Sequence, residues 1–195
     1  MNDDQIAWVE STLENLTDEE KIGQLFVNLF FFGGDAFSGN NLSNQELINR
    51  YHIGGARYMN GSPEQVQGLI NDLQSYSKVP LLVAANCDSG GDGAVKGGTY
   101  ISSGAQSEAS RDSRIPYLAG LVSAREETAL GVNVNFDPCV DIVQNWRNTI
   151  VNTRAHGTNA DDVIAYTSAY LEGLTAERDV IQCIKHFPGD GAEER

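Results

Sequence analysis

An apolar, strand-like run near the end of the chain closes on Lys185-His186-Phe187-Pro188-Gly189-Asp190-Gly191. The heptapeptide sets a cation and an imidazole at a strand's carboxyl end, then forces a turn through proline and glycine. Parallel α/β enzymes present polar groups to a ligand in this way. Lys185 and His186 are therefore the first site candidates. The structural alternative is a strand-end pair bridged to a loop acid. His52 and His156 carry no comparable context and read as structural, and Asp190, between two glycines, reads as a turn former that bonds nearby amides.

The elements that must position this heptapeptide alternate along the whole chain. Apolar runs at 24–31, 53–59, 79–86, 132–140 and 180–186 predict five strands. Between them lie helical patterns with recognisable starts. Asn2 to Leu16 reads as an amphipathic helix, and Thr17-Asp18-Glu19-Glu20 starts another turn. Ser43-Asn44-Gln45-Glu46 is a capping box, and Ser62-Pro63-Glu64-Gln65 places proline at a first helical position. Asn159 caps a helix running to Arg178, while 105–130 is predicted to break near Pro116 and end at Gly131.

Alternating strands and helices imply a parallel sheet with right-handed crossovers, and hence an α/β fold in a single domain over residues 1–195. Val132-Asn133-Val134-Asn135-Phe136-Asp137 alternates with period two, valines and phenylalanine on one face and asparagines and aspartate on the other. A strand buried on both faces should be apolar throughout. Alternation alone does not separate an open doubly wound sheet from a closed barrel, but the polar residues favour a barrel, and one physical solution has the polar face look into the lumen near its carboxyl mouth. Asn135, Asp137 and Asp141 are read as a polar layer beneath the site.

Composition narrows the partners. There are 13 Lys and Arg against 27 Asp and Glu, and a net charge of −14 opposes a phosphate backbone or an anionic lipid surface. No nucleic acid or membrane partner is expected. Met1-Asn2-Asp3-Asp4 lacks the pattern of a secretory signal, and the reading is cytoplasmic. Cys87, Cys139 and Cys183 lie in or beside apolar runs, which predicts buried, reduced thiols, no disulfide and no metal site. The glycine-rich Ser89 to Thr99 lacks a phosphate-loop ending and reads as a close-approach loop. Phe30-Phe31-Phe32, beside Gly33-Gly34, reads as strand end and core, with one ring available for stacking on a sugar.

Lys185-His186-Phe187-Pro188-Gly189-Asp190-Gly191 resembles the signature of family 3 glycoside hydrolases, in the branch of β-N-acetylglucosaminidases. Tyr51-His52-Ile53-Gly54-Gly55, Pro80 to Asn86 with Gly90-Gly91, Asn135-Phe136-Asp137-Pro138 and Asn152-Thr153-Arg154 resemble further motifs of that family in the same order, from about Thr17 onward. The resemblance implies the first five strands of a TIM-type (β/α)8 barrel, a carbohydrate substrate and no cofactor. It also implies that Asn86, Asp88, Arg154, Lys185 and His186 hold sugar hydroxyls. Asn86 departs from the family, which has an acid there; an amide lacks the charge-assisted bond, and Asp88 compensates. The acid/base histidine and nucleophilic aspartate of the family are expected beyond Arg195, so no catalytic residue is assigned within the chain. An incomplete barrel is further expected to self-associate and to be inactive alone. Two alternatives are a class I aldolase-like barrel using Lys185 as a Schiff base, and a carbohydrate-binding remnant without turnover.

Overall fold

The computed structural model describes residues 1–32 and 42–194; Gly33, Gly34 and Arg195 lie outside these. Its elements are α1 (Asp3–Glu14), α2 (Asp18–Gly23), β1 (Val27–Phe30), α3 (Asn44–Tyr51), β2 (Gly55–Tyr58), α4 (Pro63–Tyr76), β3 (Leu82–Ala85), α5 (Gly91–Ala94), α6 (Gly104–Ala109), α7 (Arg114–Leu130), β4 (Val134–Asn135), α8 (Ala160–Thr175) and β5 (Ile181–Gln182), with a 3-10 turn at Asn152–Arg154 before α8. The strands form one sheet in chain order. A doubly wound sheet reverses its order at a switch point, whereas a barrel adds each strand beside the last. The α/β expectation with parallel strands is met.

Two compact units are distinguished, Met1–Met59 with Gly68–Val83, and Asn60–Gln67 with Ala84–Arg195. In the first, β1 pairs in parallel with β2 from Val27↔Gly55 to Phe30↔Tyr58. Leu47, Ile48, Ala56, Leu69 and Leu73 are buried there. Thr17 and Ser43 each cap a helix with the glutamate three residues on, as their sequences predict. The amphipathic reading of α1 fails in one respect: the helix forms behind an Asn2–Gln5 capping box, yet it buries no residue, and Trp8 is 56% exposed. Capping satisfies its first amides without any tertiary partner. No helix among the described residues is long and apolar enough to cross a membrane.

In the second unit β4 pairs in parallel with β3 at Ala84↔Val134 and Ala85↔Asn135, and with β5 at Val134↔Ile181 and Asn135↔Gln182. Beyond Asn135 the regular register slips, three residues of β4 passing for two of β5 between the Cys183 bond to Asn135 O and the Lys185 bond to Pro138 O, and Pro138 itself has no N–H to give. Pairing resumes one residue later as an isolated parallel bridge, Cys139↔Lys185. Pro138 still accepts from the Lys185 amide at 3.2 Å, and the Val140 amide donates to Lys185 O at 2.7 Å. This short return to pairing fixes where Lys185 leaves the sheet.

The 105–130 stretch divides at residues 110–113, not at Pro116, which lies in the first turn of α7. An amide there has no intrahelical acceptor, so proline costs little. Gly131 closes α7 in the left-handed region at φ 93°, as predicted. Helix α7 meets α8 at two glycines. A Cβ on Gly120 would stand 2.1 Å from Tyr170 O, and one on Gly173 only 1.9 Å from Tyr117 O. Below this crossing Ala119, Ala124, Tyr170, Leu174 and Val180 form a buried cluster.

The polar face of β4 corrects the barrel-lumen expectation. Asn135 turns to α7 and α8, donating to Glu127 Oε1 at 2.7 Å and Tyr170 Oη at 3.3 Å. Its register partner Gln182 likewise donates to Leu171 O of α8. Ile181, paired with Val134 on the opposite face, is 50% exposed. Period two separates two faces but does not say which one the helices cover. Cys183 is also exposed, not buried, whereas Cys87 and Cys139 are buried free thiols as expected.

Gly173→Leu should force α8 off α7, lowering the urea midpoint by an amount that corresponds to about 2 kcal/mol or more of unfolding free energy. An unchanged midpoint would mean the helices part without cost.

Candidate functional site

Four segments of the second unit converge at the carboxyl ends of β3, β4 and β5. Asp88 follows β3, Asp137 follows β4, Lys185 and His186 follow β5, and Arg154 ends the 3-10 turn. Lys185 Nζ donates to Asp88 Oδ2 at 2.8 Å and to Phe136 O at 2.5 Å, with Asp137 Oδ1 at 3.6 Å. Arg154 Nε donates to the other Asp88 oxygen, Oδ1, at 3.1 Å. One carboxylate thus holds two cations that lie 66 and 97 residues away in sequence.

The electrostatics follow from that arrangement. Burial alone would raise the Asp88 carboxyl, but Lys185 and Arg154 outweigh it and hold the group below its usual range. Asp137 has the opposite balance. Burial, reinforced by the nearby Asp88 charge, pushes it up to about 7 even with Lys185 beside it. Lys185 is the shared counterion, and two carboxylates this close do not ionise independently.

His186 is oriented by a second carboxylate, Asp141. The ring Nδ1 faces Asp141 Oδ2 at 2.7 Å, the His186 amide donates to the same oxygen at 3.1 Å, and Cys139 Sγ reaches it at 3.2 Å. Asp141 Oδ1 accepts the Asp190 amide at 2.7 Å. On the far side of the ring, Arg154 Nη2 stands 3.4 Å from Nε2. A guanidinium only donates, so both contacts together require the ring proton on Nδ1. Asp141 is therefore a clamp on the Lys-His-Phe-Pro-Gly-Asp loop, gripping it by main chain and by imidazole. Gly191 closes the loop against Ile142, where a Cβ would stand 1.8 Å from the carbonyl.

Four of the five sequence candidates, Asp88, Arg154, Lys185 and His186, form this cluster. Asn86 directly follows β3 and is half-buried. Asp137 and Asp141 were read as an underlying polar layer, and both prove integral to the cluster. Their signal was the aspartates' place just past an apolar strand, the same signal that marked Lys185. Arg154 pairs with Asp88, not with Asp137 or Asp141. His156 is buried under Cys139 O, and burial lowers its pKa; His52 caps α3 in the left-handed region. Both act structurally. The close-approach reading of the glycine-rich loop also fits, since a Cβ on Gly93 would stand 2.1 Å from Asn86 O. Phe30 is fully buried and serves the core.

Cys139 Sγ, Asp141 Oδ2 and His186 Nδ1 lie within 4.8 Å of one another, the only such trio of metal-ligand types among the described residues. The thiol and the imidazole N–H both donate to the same aspartate oxygen, so a cation there would have to displace both protons. A cavity of about 370 Å³ is lined by residues that include Asp141, His186 and Phe187 but neither Lys185 nor Asp88.

The comparisons with known proteins agree with one another. The model of the glycosyl hydrolase family 3 N terminal domain matches residues 17–195. A beta-N-acetylglucosaminidase/beta-glucosidase of Cellulomonas fimi is 35% identical over 195 residues, covering the whole chain and 33% of that protein. Among solved structures, a beta-glucoside phosphorylase, BglX, bound to 2FGlc, superposes with a TM-score of 0.89 at 33% identity, over 100% of this chain and 34% of its own. A family 3 beta-N-acetylglucosaminidase from Paenibacillus sp. str. FPU-7 superposes with a TM-score of 0.77 at 31% identity, over 90% of this chain and 34% of its own. The chain thus spans about a third of the length of these relatives.

Removing the Asp141 clamp should free the loop. Asp141→Ala is expected to cost on the order of 3 kcal/mol, the scale of lost buried hydrogen bonds to a charged group. Burial opposes the Asp141 charge, but its bonds to His186, the Asp190 amide and Cys139 prevail and hold its pKa below the usual carboxylate range. Its contribution is therefore complete above that range and lost as pH falls through the lowered value. Denaturation of the parent should steepen on acidification below about pH 4, and that steepening should shrink in Asp141→Ala. Equal acid profiles would refute the clamp.

Proposed function

The chain belongs to glycosyl hydrolase family 3, and from that premise we propose that Asp88, Arg154, Lys185 and His186, with Asn86, bind the hydroxyls of a sugar in a retaining glycosidase that removes terminal β-linked N-acetylglucosamine. The observation that carries this reading is the double engagement of Asp88. A sugar hydroxyl both donates and accepts, and its binding calls for a carboxylate and a cation side by side. Asp88 and Arg154 offer that pair on side chains 25% and 30% exposed, beside a His186 side chain 35% exposed. Lys185, only 12% exposed, holds Asp88 in place from beneath.

No group of the cluster is assigned as nucleophile. Each of its carboxylates is already engaged, Asp88 and Asp137 with Lys185 and Asp141 with His186. In the retaining mechanism a carboxylate attacks the anomeric carbon to form a glycosyl-enzyme, and an acid/base group protonates the leaving oxygen and then activates water. We assign neither role within the chain. The cluster's share is to hold the ring while positive charge develops at the anomeric carbon, with the Asp88 and Asp141 carboxylates nearby. The Schiff-base alternative is disfavoured by the same geometry, because Lys185 Nζ already has three oxygen neighbours, two of them carboxylates.

A second reading is phosphorolysis, in which phosphate takes the place of water in resolving the glycosyl-enzyme. It is favoured by the superposition on a beta-glucoside phosphorylase over the full chain at a TM-score of 0.89.

In the full-length protein, Lys185→Ala and Asp88→Ala should each lower kcat/KM for nitrophenyl β-N-acetylglucosaminide on the order of a hundredfold, about 3 kcal/mol. Full activity in both would show a purely structural cluster. Products followed by NMR should keep the anomeric configuration, and an inverted sugar would exclude the covalent route. Sugar 1-phosphate formed on adding inorganic phosphate selects the second reading over hydrolysis.

A further inference from the structure

Beneath the cluster lies a carboxyl group that the sugar site does not use. Glu127 of α7 and Asn135 of β4 are both fully buried. Asn135 Nδ2 donates to Glu127 Oε1 at 2.7 Å. The other two oxygens of this pair, Glu127 Oε2 and Asn135 Oδ1, have no hydrogen-bond partner. Two orphaned acceptors on the same two side chains share one remedy, a single proton between them.

The surroundings supply no cation for an ionised Glu127. Among the described residues no lysine, arginine or histidine forms an ion pair with it, since Lys185 and Arg154 are engaged by Asp88. The groups facing it from each packed element are Cys87 past β3, whose thiol hydrogen-bonds the carboxyl and partly opposes the effect of burial, Asn135 and Asp137 on and past β4, Glu126 on its own helix, and Tyr170 of α8, reached through the Asn135 amide. None of these is basic. Burying a bare carboxylate among such neighbours is costly, and the group takes up a proton instead.

We propose that Glu127 is a neutral carboxylic acid whose Oε2–H donates to Asn135 Oδ1, closing a two-bond ring with the Asn135 amide, and that this ring is a positioning device for the Lys185 cluster. The ring ties α7 to β4 at Asn135, the residue before Phe136. Phe136 O accepts from Lys185 Nζ, and Asp137 follows. A bond made at Asn135 thus fixes the height at which the Lys185 acceptors emerge from the sheet.

The pH consequence agrees with the geometry. Burial, the largest influence, pushes the Glu127 carboxyl up to about 8, with Asp137 and Glu126 adding repulsion. A carboxyl raised in the folded state stabilises fully below its unfolded value, and that contribution is lost as pH rises towards the folded value. Asp137, raised to about 7, acts in the same direction, so Glu127 must be isolated by substitution.

Glu127→Gln makes the test. Its amide presents an N–H to Asn135 Oδ1 and an oxygen to Asn135 Nδ2, copying the neutral acid without a titrating proton. Urea unfolding of the full-length protein between about pH 5 and 8 should show the parent's folding constant falling about tenfold more per pH unit than that of Glu127→Gln. Parallel profiles would overturn the proposal. Should the variant fail to fold, that too counts against it, because an isostere of the neutral acid ought to be accepted. Infrared spectroscopy of the unsubstituted protein, labelled with 13C-carboxyl glutamate, gives an independent reading. A protonated-acid carbonyl band is expected at neutral pH and should fade at alkaline pH, and a carboxylate band alone at neutral pH would refute the ring. Neither measurement needs a sugar, so both can fail or succeed independently of the glycosidase reading.

Discussion

Asp88 stands where three strand ends and a turn could otherwise drift apart. One oxygen takes Lys185 and the other takes Arg154. Without it, two cations would face each other beside a half-buried wall, and Asp137 would be the remaining acid for Lys185. With it, residues from β3, β5 and the turn before α8 are drawn to one point by charge-assisted bonds, among the strongest that side chains make. Hydrophobic burial assembles the sheet and its helices, but it is non-directional. The register of the polar groups depends on this carboxylate.

A second layer turns position into orientation. Asp141 grips the loop through the His186 and Asp190 amides and through the imidazole. Below, Glu127 and Asn135 bind β4 to α7. Acidic side chains thus recur at each level, and their environments set them apart. Asp88 and Asp141 are held below the usual carboxylate range by cations or hydrogen bonds, while burial raises Asp137 and Glu127. Four chemically similar groups divide into two kinds because partners that reward charge outweigh burial at Asp88 and Asp141, whereas at Asp137 burial and the Asp88 charge prevail over Lys185, and at Glu127 no cation opposes burial.

Much of this was legible in the chain. Strand and helix alternation, the caps at Thr17, Ser43 and Asn159, and the left-handed stop at Gly131 are local signals, and local interactions produced them. Lys185 and His186 were legible because proline and glycine end the strand beside them. What escaped was non-local. Nothing within β4 says which of its faces meets α7 and α8, and Asn135 was placed on the wrong one. Pro116 reads as a breaker until its place in the first turn of α7 is known. The pairing of Asp141 with His186 spans 45 residues, and no spacing announces it.

The loop from His186 to Asp190 is gripped mainly through amides and one imidazole, yet Phe187 between them is 97% exposed. A frame that holds its own backbone leaves the ring at 187 structurally unencumbered. A chemist could therefore exchange bulk or attach a reporter at that position while leaving untouched every bond that holds the frame.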